Sequence, residues 1–563
     1  MKKISFLIAI ILSLYSCSPI KEQELLRHIL RESSIDLNPD SLKTCIATAS
    51  ELWASKPWAQ YYDKDIFINY ILAPHIADEP VEYYWRTDIP KWLNLMSSKQ
   101  TILTLAQQIN DRIDVDTRPE DWGNKQMGYS ATMAGKFGKC DDRAILAIMA
   151  MRSYGVPAAF DFIPMWASSN NGHSLCSVLI HNGTTLVFQN RGDKGTEYNF
   201  SHKVAKVYRK TFSKNLDCLI AKYQSRESIP PSLNDCRIKD VTSEHKIGQR
   251  DIRFSGNIVT ENKLCYLSVF HPNGWFPIAV GEIHRNLMNF SAVGTGLDHK
   301  NQNPVKGDNI GDGILYLPCI YNGKVIPAGY AFILSKQGIK ELIPSKEDET
   351  VILYRKFPRL ARISRFAGHM YGGIIEGANE ADFSDAIQLH RIYGKSLSHI
   401  QTIKTRQCPP CRYIRFRKPS GTFSLAELRA YNDNGQEIKG RPIASESMYG
   451  IEGLKHIYDN DPLTYFEVSP VLDIWAGIDF GSPQSISSIA FCPRNDDNDI
   501  SPGDEYELFY WDNEWKTLGT KKATEYSIEF INVPKGALLW LRNRTKGKEE
   551  RPFTYENGQQ IWW

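Results

Sequence analysis

Two residues have the type and setting for covalent chemistry. They are Cys140, in Gly138-Lys139-Cys140, and His173, in Gly172-His173-Ser174. A thiolate is a strong nucleophile toward acyl carbon, and an imidazole is the usual base that activates it. After Cys140, apolar Ala144, Ile145, Ile148, Met149 and Met151 recur at helical spacing, and Gly155 and Pro157 mark a helix end. The spacing predicts a helix starting at Cys140. Unpaired amides there would lower the thiol pKa and could donate to an oxyanion. Asp141 and Asp142 oppose a neighbouring thiolate, so a cationic partner is required, and His173 is the natural one.

His173 opens a strand-like run that ends at Asn182-Gly183, a hairpin signal, and TTLVFQN forms the return strand. A third residue must hold the imidazole in one orientation. With a two-residue turn at Asn182-Gly183, His173 faces Gly192. Asn190 then lies on the His173 face, while Gln189 and Asp193 point to the opposite one. Pairing therefore favours Asn190 as the orienting residue.

The stretch from about Tyr129 to Gly192 resembles the transglutaminase-like superfamily, which has a papain-like Cys-His fold. The resemblance rests on three elements in order: G-x-C-x-x-x-A at the helix start, R-S-Y-G-V-P-A at its end, and G-H-S on the strand. It implies Cys140 as nucleophile, His173 as general base and acid, and a thioester intermediate. The superfamily includes cross-linking enzymes, cysteine proteases and glycan-removing amidases. Its members usually place an Asp on the return strand, and by motif position Gln189 occupies that place here. Leu175 stands where the family commonly has Trp.

The N-terminus carries Lys2 and Lys3, then an apolar run from Ile4 to Leu14, too short to span a bilayer. It ends in Leu14-Tyr15-Ser16-Cys17, which resembles the bacterial lipobox. That resemblance implies a signal peptide over 1–16, a lipid on Cys17, and export to the outer membrane or surface of a Gram-negative cell. Net charge is only +3, from 67 basic and 64 acidic residues, which gives no footprint for nucleic acid. Cys408-Pro409-Pro410-Cys411 is a lone CxxC without the second pair of a zinc site, and reads as a loop that a disulfide could close.

The predicted architecture is multidomain α+β. A helical region spans 17–121 and the transglutaminase-like α+β core 122–235. A β-sandwich-like domain follows over 236–360, then a β-rich segment over 361–442 that is either a separate domain or part of a galactose-binding-like sandwich. Residues 443–563 resemble the discoidin, or coagulation-factor type C, domain, a galactose-binding-like β-sandwich, through HIYDNDPLTYFEV, WAGIDFGSPQSISSIAF and the final IWW. The resemblance implies a structural Ca²⁺ held by Asp459, Asp461 and Thr464, with Glu556 reaching in from the last strand. It also implies a glycan ligand, for which Arg494, Asn495, Asp496, Asp497 and Asn498 offer polar handles. No cofactor is expected for catalysis. Two readings result. One is a surface-anchored thiol enzyme acting on a peptide, isopeptide or glycosyl-asparagine amide of a protein, peptide or glycoprotein substrate. The other is a catalytically silent glycan-binding lipoprotein.

Overall fold

The computed structural model describes residues 22–33, 35–95, 100–117, 126–197, 199–256, 260–296, 307–394, 397–405, 408–445, 453–546 and 549–563. The expected signal peptide and Cys17 lie outside the described residues, as does the boundary expected at 121–122. The protein is a multidomain, β-rich α+β chain that divides into two compact units. One holds the described residues up to Gly296, together with 312–342 and Trp563. The other holds 307–311 and 343–562.

The first unit begins with helices α1 (Glu22–Glu32), α2 (Pro39–Ala54), α3 (Trp85–Leu93) and α4 (Ile102–Asn110). Helix α2 starts where sequence rules place a start: Asn38 Oδ1 accepts from the amides of Asp40 and Ser41, and Pro39 takes the first helical position. Helix α5 (Cys140–Ser153) is central, and every residue from Asp142 to Ser153 is buried. Its apolar side chains share one core with α3, α4 and one face of a five-stranded antiparallel sheet. The N-terminal helices are therefore part of the packing that fixes α5.

That sheet comprises β1 (Ala158–Ile163), β2 (His173–Leu179), β3 (Thr185–Phe188), β4 (Tyr208–Lys210) and β5 (Ile238–Asp240), in the order β3-β2-β1-β4-β5. An eight-stranded antiparallel sheet follows, with described strands from Gln249–Ser255 to Gly338–Glu341 and its own core.

In the second unit, a five-stranded sheet containing Cys411–Leu425 and Phe466–Gln484 faces a three-stranded one across a single core. A second core lies between the pair Asp348–Leu353 and Ile528–Pro534 and a five-stranded sheet from Glu505–Trp511 to Gln559–Trp562. Strand pairing crosses two of the expected boundaries, the first as one of the two alternatives for 361–442 allowed. Strand Phe466–Gln484 bonds to both Cys411–Leu425 and Arg441–Ala444, so 442–443 does not divide two cores. Strand Asp348–Leu353 pairs with Ile528–Pro534, so it does not belong with the sheet of 249–341. Burial of each strand's apolar face decided both, through partners distant in sequence.

Candidate functional site

The start of α5 is built around the Asp142 side chain. The Asp142 carboxylate accepts from the amides of Lys139 (2.8 Å) and Met127 (2.7 Å), which caps the helix. A Cβ on Gly138 would meet Asp142 Cβ at 2.7 Å, so only glycine fits there. Across the site, a Cβ on Gly172 would lie 2.6 Å from the Ile163 carbonyl oxygen. Gly138 thus leaves room for the capping Asp142 side chain, and Gly172 lets two backbone segments converge.

Cys140 and His173 line one cavity of about 710 Å³, with Lys139, Asp141, Gln126, Asn171, Ser174 and an apolar wall that includes Phe160 and Phe162. Burial, and next the Asp141 carboxylate, push the Cys140 thiol up to about 11; the amides of Ser174 and Asp141 aim at the sulfur and oppose this. Burial also holds His173 below the ordinary imidazole value, against the Gln189 hydrogen bond and the charge of Asp141. The resting pair is therefore a thiol and a neutral imidazole. The helix start favours the thiolate, as the sequence suggested, but desolvation outweighs it.

His173 Nε2 donates to Gln189 Oε1 at 3.2 Å, and Gln189 Nε2 donates in turn to the Asn199 carbonyl at 3.5 Å. With Nε2 protonated, Nδ1 carries the lone pair available to a thiol. The pairing expected for Asn190 is corrected. Cys176 pairs with Phe188 and Leu179 with Thr185, and the Ile180 amide donates to the Thr184 carbonyl. The turn therefore takes three residues, His181 to Gly183. Asn182 Oδ1 accepts from the Thr184 amide, and Gly183 adopts φ 83°. One extra turn residue shifts the register by one and exchanges the two faces of the return strand. Leu175 then lies opposite Gln189, which shares the His173 face.

Asn190 is exposed and uses its backbone. Its carbonyl accepts from Asn110 Nδ2 at 2.8 Å, and Asn110 Oδ1 accepts from the buried Arg143 at 2.9 Å. Asp193 does not reach the imidazole. Its Oδ2 accepts from the amides of Gln189 and Asn190, both at 2.7 Å, and so fixes the end of the return strand.

Two further features were missed by sequence reasoning. Trp166 stacks on the His173 ring, with centroids 5.5 Å apart and planes 25° apart. It comes from the connection after β1, and Leu175 is fully buried in the same small core. An aromatic in the loop before Gly-His was the available signal. The other feature is the bond that Asp141, already expected to oppose the thiolate, makes to the His173 strand. Asp141 Oδ1 accepts from Ser174 Oγ at 2.5 Å and lies 3.6 Å from Cys140 Sγ, while Oδ2 accepts from Gln126 Nε2 at 3.3 Å.

Of the four residues expected to hold Ca²⁺, Asp459, Asp461 and Thr464 meet in one turn. Thr464 Oγ1 donates to both Asp459 oxygens, at 3.0 and 2.9 Å, and the Asp461 amide donates to Asp459 Oδ1 at 3.0 Å, as in an ordinary Asx turn. Glu556 sits on the hairpin pairing Pro552–Glu556 with Gln559–Trp562, in a different sheet from the strand that follows this turn, and accepts from Thr554. Among the described residues no group of three or more His, Cys, Asp or Glu could hold a metal ion.

The polar run 494–498 is largely committed internally. Arg355 donates to both oxygens of Asp496, Lys356 Nζ donates to Asn498 Oδ1 at 2.8 Å, and Arg494 stacks on Tyr465 with its guanidinium 3.8 Å from the ring centroid. It clamps the chain near 355 to the loop after the three-stranded sheet. Cys408 and Cys411 bring their sulfurs to 3.6 Å.

No model of a known protein family matches this chain, and no curated protein matches it.

Proposed function

We propose that the first unit is a transglutaminase-like thiol enzyme that cleaves or transfers an amide through a thioester on Cys140. The observation that carries this reading is the shared cavity of Cys140 and His173, with the imidazole oriented by Gln189. His173 Nδ1 takes the thiol proton as sulfur attacks the carbonyl carbon. The carbon–nitrogen bond then breaks, and the amine leaves with the proton from His173. Water attacks the thioester, gives a proton to the imidazole, and displaces the thiolate, which is reprotonated. An amine in place of water gives transfer, but water is the abundant acceptor outside a cell. The substrate is a peptide, isopeptide or glycosyl-asparagine amide. Incubation of the purified chain with pools of each class, read by mass spectrometry, is expected to show amide cleavage; no product from any class would contradict the proposal.

The second reading is a silent surface glycan-binding lipoprotein. It is favoured by a thiol pushed up to about 11 and by a neutral Gln189 in place of an acid. Both readings place the protein on a membrane through Cys17, in a discoidin-containing chain. Cys17→Ser is expected to move the protein from the membrane to the soluble fraction; unchanged membrane association would count against the lipid anchor.

A further inference from the structure

We infer that Asp141 is the carboxylate of this site: a positioning residue that ties the His173 strand to the nucleophile helix and supplies the negative charge that Gln189 lacks. This rests on the thiol-enzyme reading. A His–carboxylate partner normally does two things: it fixes the ring and it stabilises the imidazolium that forms during reaction. Gln189 does the first but carries no charge. Asp141 follows the nucleophile directly, and Ser174 follows the base directly, so the Ser174 Oγ to Asp141 Oδ1 bond joins the two catalytic segments at their nearest neighbours. Ser174 is only 6% exposed, so little water competes for that bond. Gln126 holds the other carboxylate oxygen, which limits rotation of the group.

The other charged groups around the cavity are already engaged. Asp142 is bound by two backbone amides, and Lys210 lies between Asp78 (3.5 Å) and Asp235 (3.3 Å). Lys139 also lines the cavity, and Asp193 is held by the return strand. Asp141 is thus the carboxylate whose charge bears on both reacting groups. It holds the Cys140 thiol up, second to burial, and it favours protonated His173, third after burial and the Gln189 bond. These actions oppose each other at rest. Once the proton moves from sulfur to imidazole, the charge on sulfur passes into the bond to carbon, and the favourable charge interaction of Asp141 with imidazolium remains.

The test uses the full chain with Asp141→Asn, which keeps an oxygen acceptor for Ser174 but removes the charge, and Ser174→Ala, which removes the tether but keeps the charge. Imidazole titration is followed by NMR of ring-labelled histidine, and Cys140 titration by alkylation rate against pH; neither needs a substrate. Asp141→Asn is expected to lower both midpoints, His173 by about one pH unit. In turnover, kcat is expected to fall about tenfold with KM little changed. A more acidic thiol paired with slower turnover is the signature of the role; Ser174→Ala should slow turnover without moving the His173 midpoint comparably. An unmoved His173 midpoint in Asp141→Asn overturns the inference, and so does faster turnover, which would mark Asp141 as a mere suppressor of the thiolate. Failure of the thiol-enzyme reading is distinguishable: Cys140→Ala would then turn over like the wild type, whatever Asp141→Asn does.

Discussion

Cys140→Ala is expected to remove turnover, and His173→Ala to slow it by about 10²–10⁴-fold, the usual contribution of a positioned general base. The reason lies in the resting charge state. Burial and Asp141 push the thiol up to about 11, so few molecules carry a thiolate at neutral pH. On the proposed thiol mechanism no preformed ion pair is available, and the thiol is deprotonated as it attacks. His173 is suited to this because burial, opposed by the Gln189 hydrogen bond and by Asp141, keeps it below the ordinary imidazole value and hence neutral. In His173→Ala the residual rate should climb steeply with pH toward the thiol's own midpoint. The double variant should cost no more than Cys140→Ala alone, since the two residues act as one unit. A His173→Ala protein with near wild-type kcat at neutral pH would show that the imidazole plays no part.

Arg209→Met is expected to destabilise the first unit by about 3–5 kcal/mol. Asp161 on β1 is completely buried, and Arg209 on β4 binds it through two nitrogens, at 2.7 and 2.8 Å. His245 Nε2 lies 3.0 Å from the same carboxylate, and Glu244 pairs with Arg209 at 2.7 Å. Burial alone would raise the Asp161 carboxyl, yet the Arg209 charge and hydrogen bonds, with His245, hold it well below the usual carboxylate range. Removing Arg209 strands a buried charge, which costs far more than losing a surface pair. A folded-state value below the unfolded one contributes stability that is present above about pH 4 and is lost as pH falls toward the folded value. In Arg209→Met the carboxyl becomes easier to protonate, so the gap to wild type should narrow in acid. Denaturant unfolding of the first unit at pH 7 and pH 4 measures both effects. A change under about 1 kcal/mol at pH 7 would refute the prediction. The cluster matters for the site because Asp161 pairs with Leu175, two residues beyond His173 on the same strand face.

Much of the local architecture was legible in the sequence. Gly138, the apolar spacing after Cys140, and Gly155-Val156-Pro157 marked α5 correctly, because caps and breakers act over a few residues. The hairpin after His173 was legible too, but its register was not. Asn182-Gly183 suits a two-residue turn, whereas the chain also spends His181 in the loop, and a single residue decides whether Gln189 or Asn190 meets the imidazole. The Trp166 stack and the Asp141–Ser174 tether join segments that only the folded sheet brings together. Sheet membership was hidden for the same reason: the strand at 348–353 finds its partner at 528–534, which no linear scan exposes. Helix-start stabilisation of a thiolate was visible in the sequence, while the burial that overrides it depends on the whole of the surrounding core.

On the proposed mechanism Cys140 forms an acyl intermediate. The most direct test of this step is rapid acid quench of the full chain during reaction with the pooled peptide, isopeptide and glycopeptide amides, followed by mass mapping. An acyl group is expected on the Cys140 peptide, removable by hydroxylamine and never accumulating in Cys140→Ala. Cleavage that persists in Cys140→Ala, or an acyl group found only on another cysteine, would contradict the proposed mechanism.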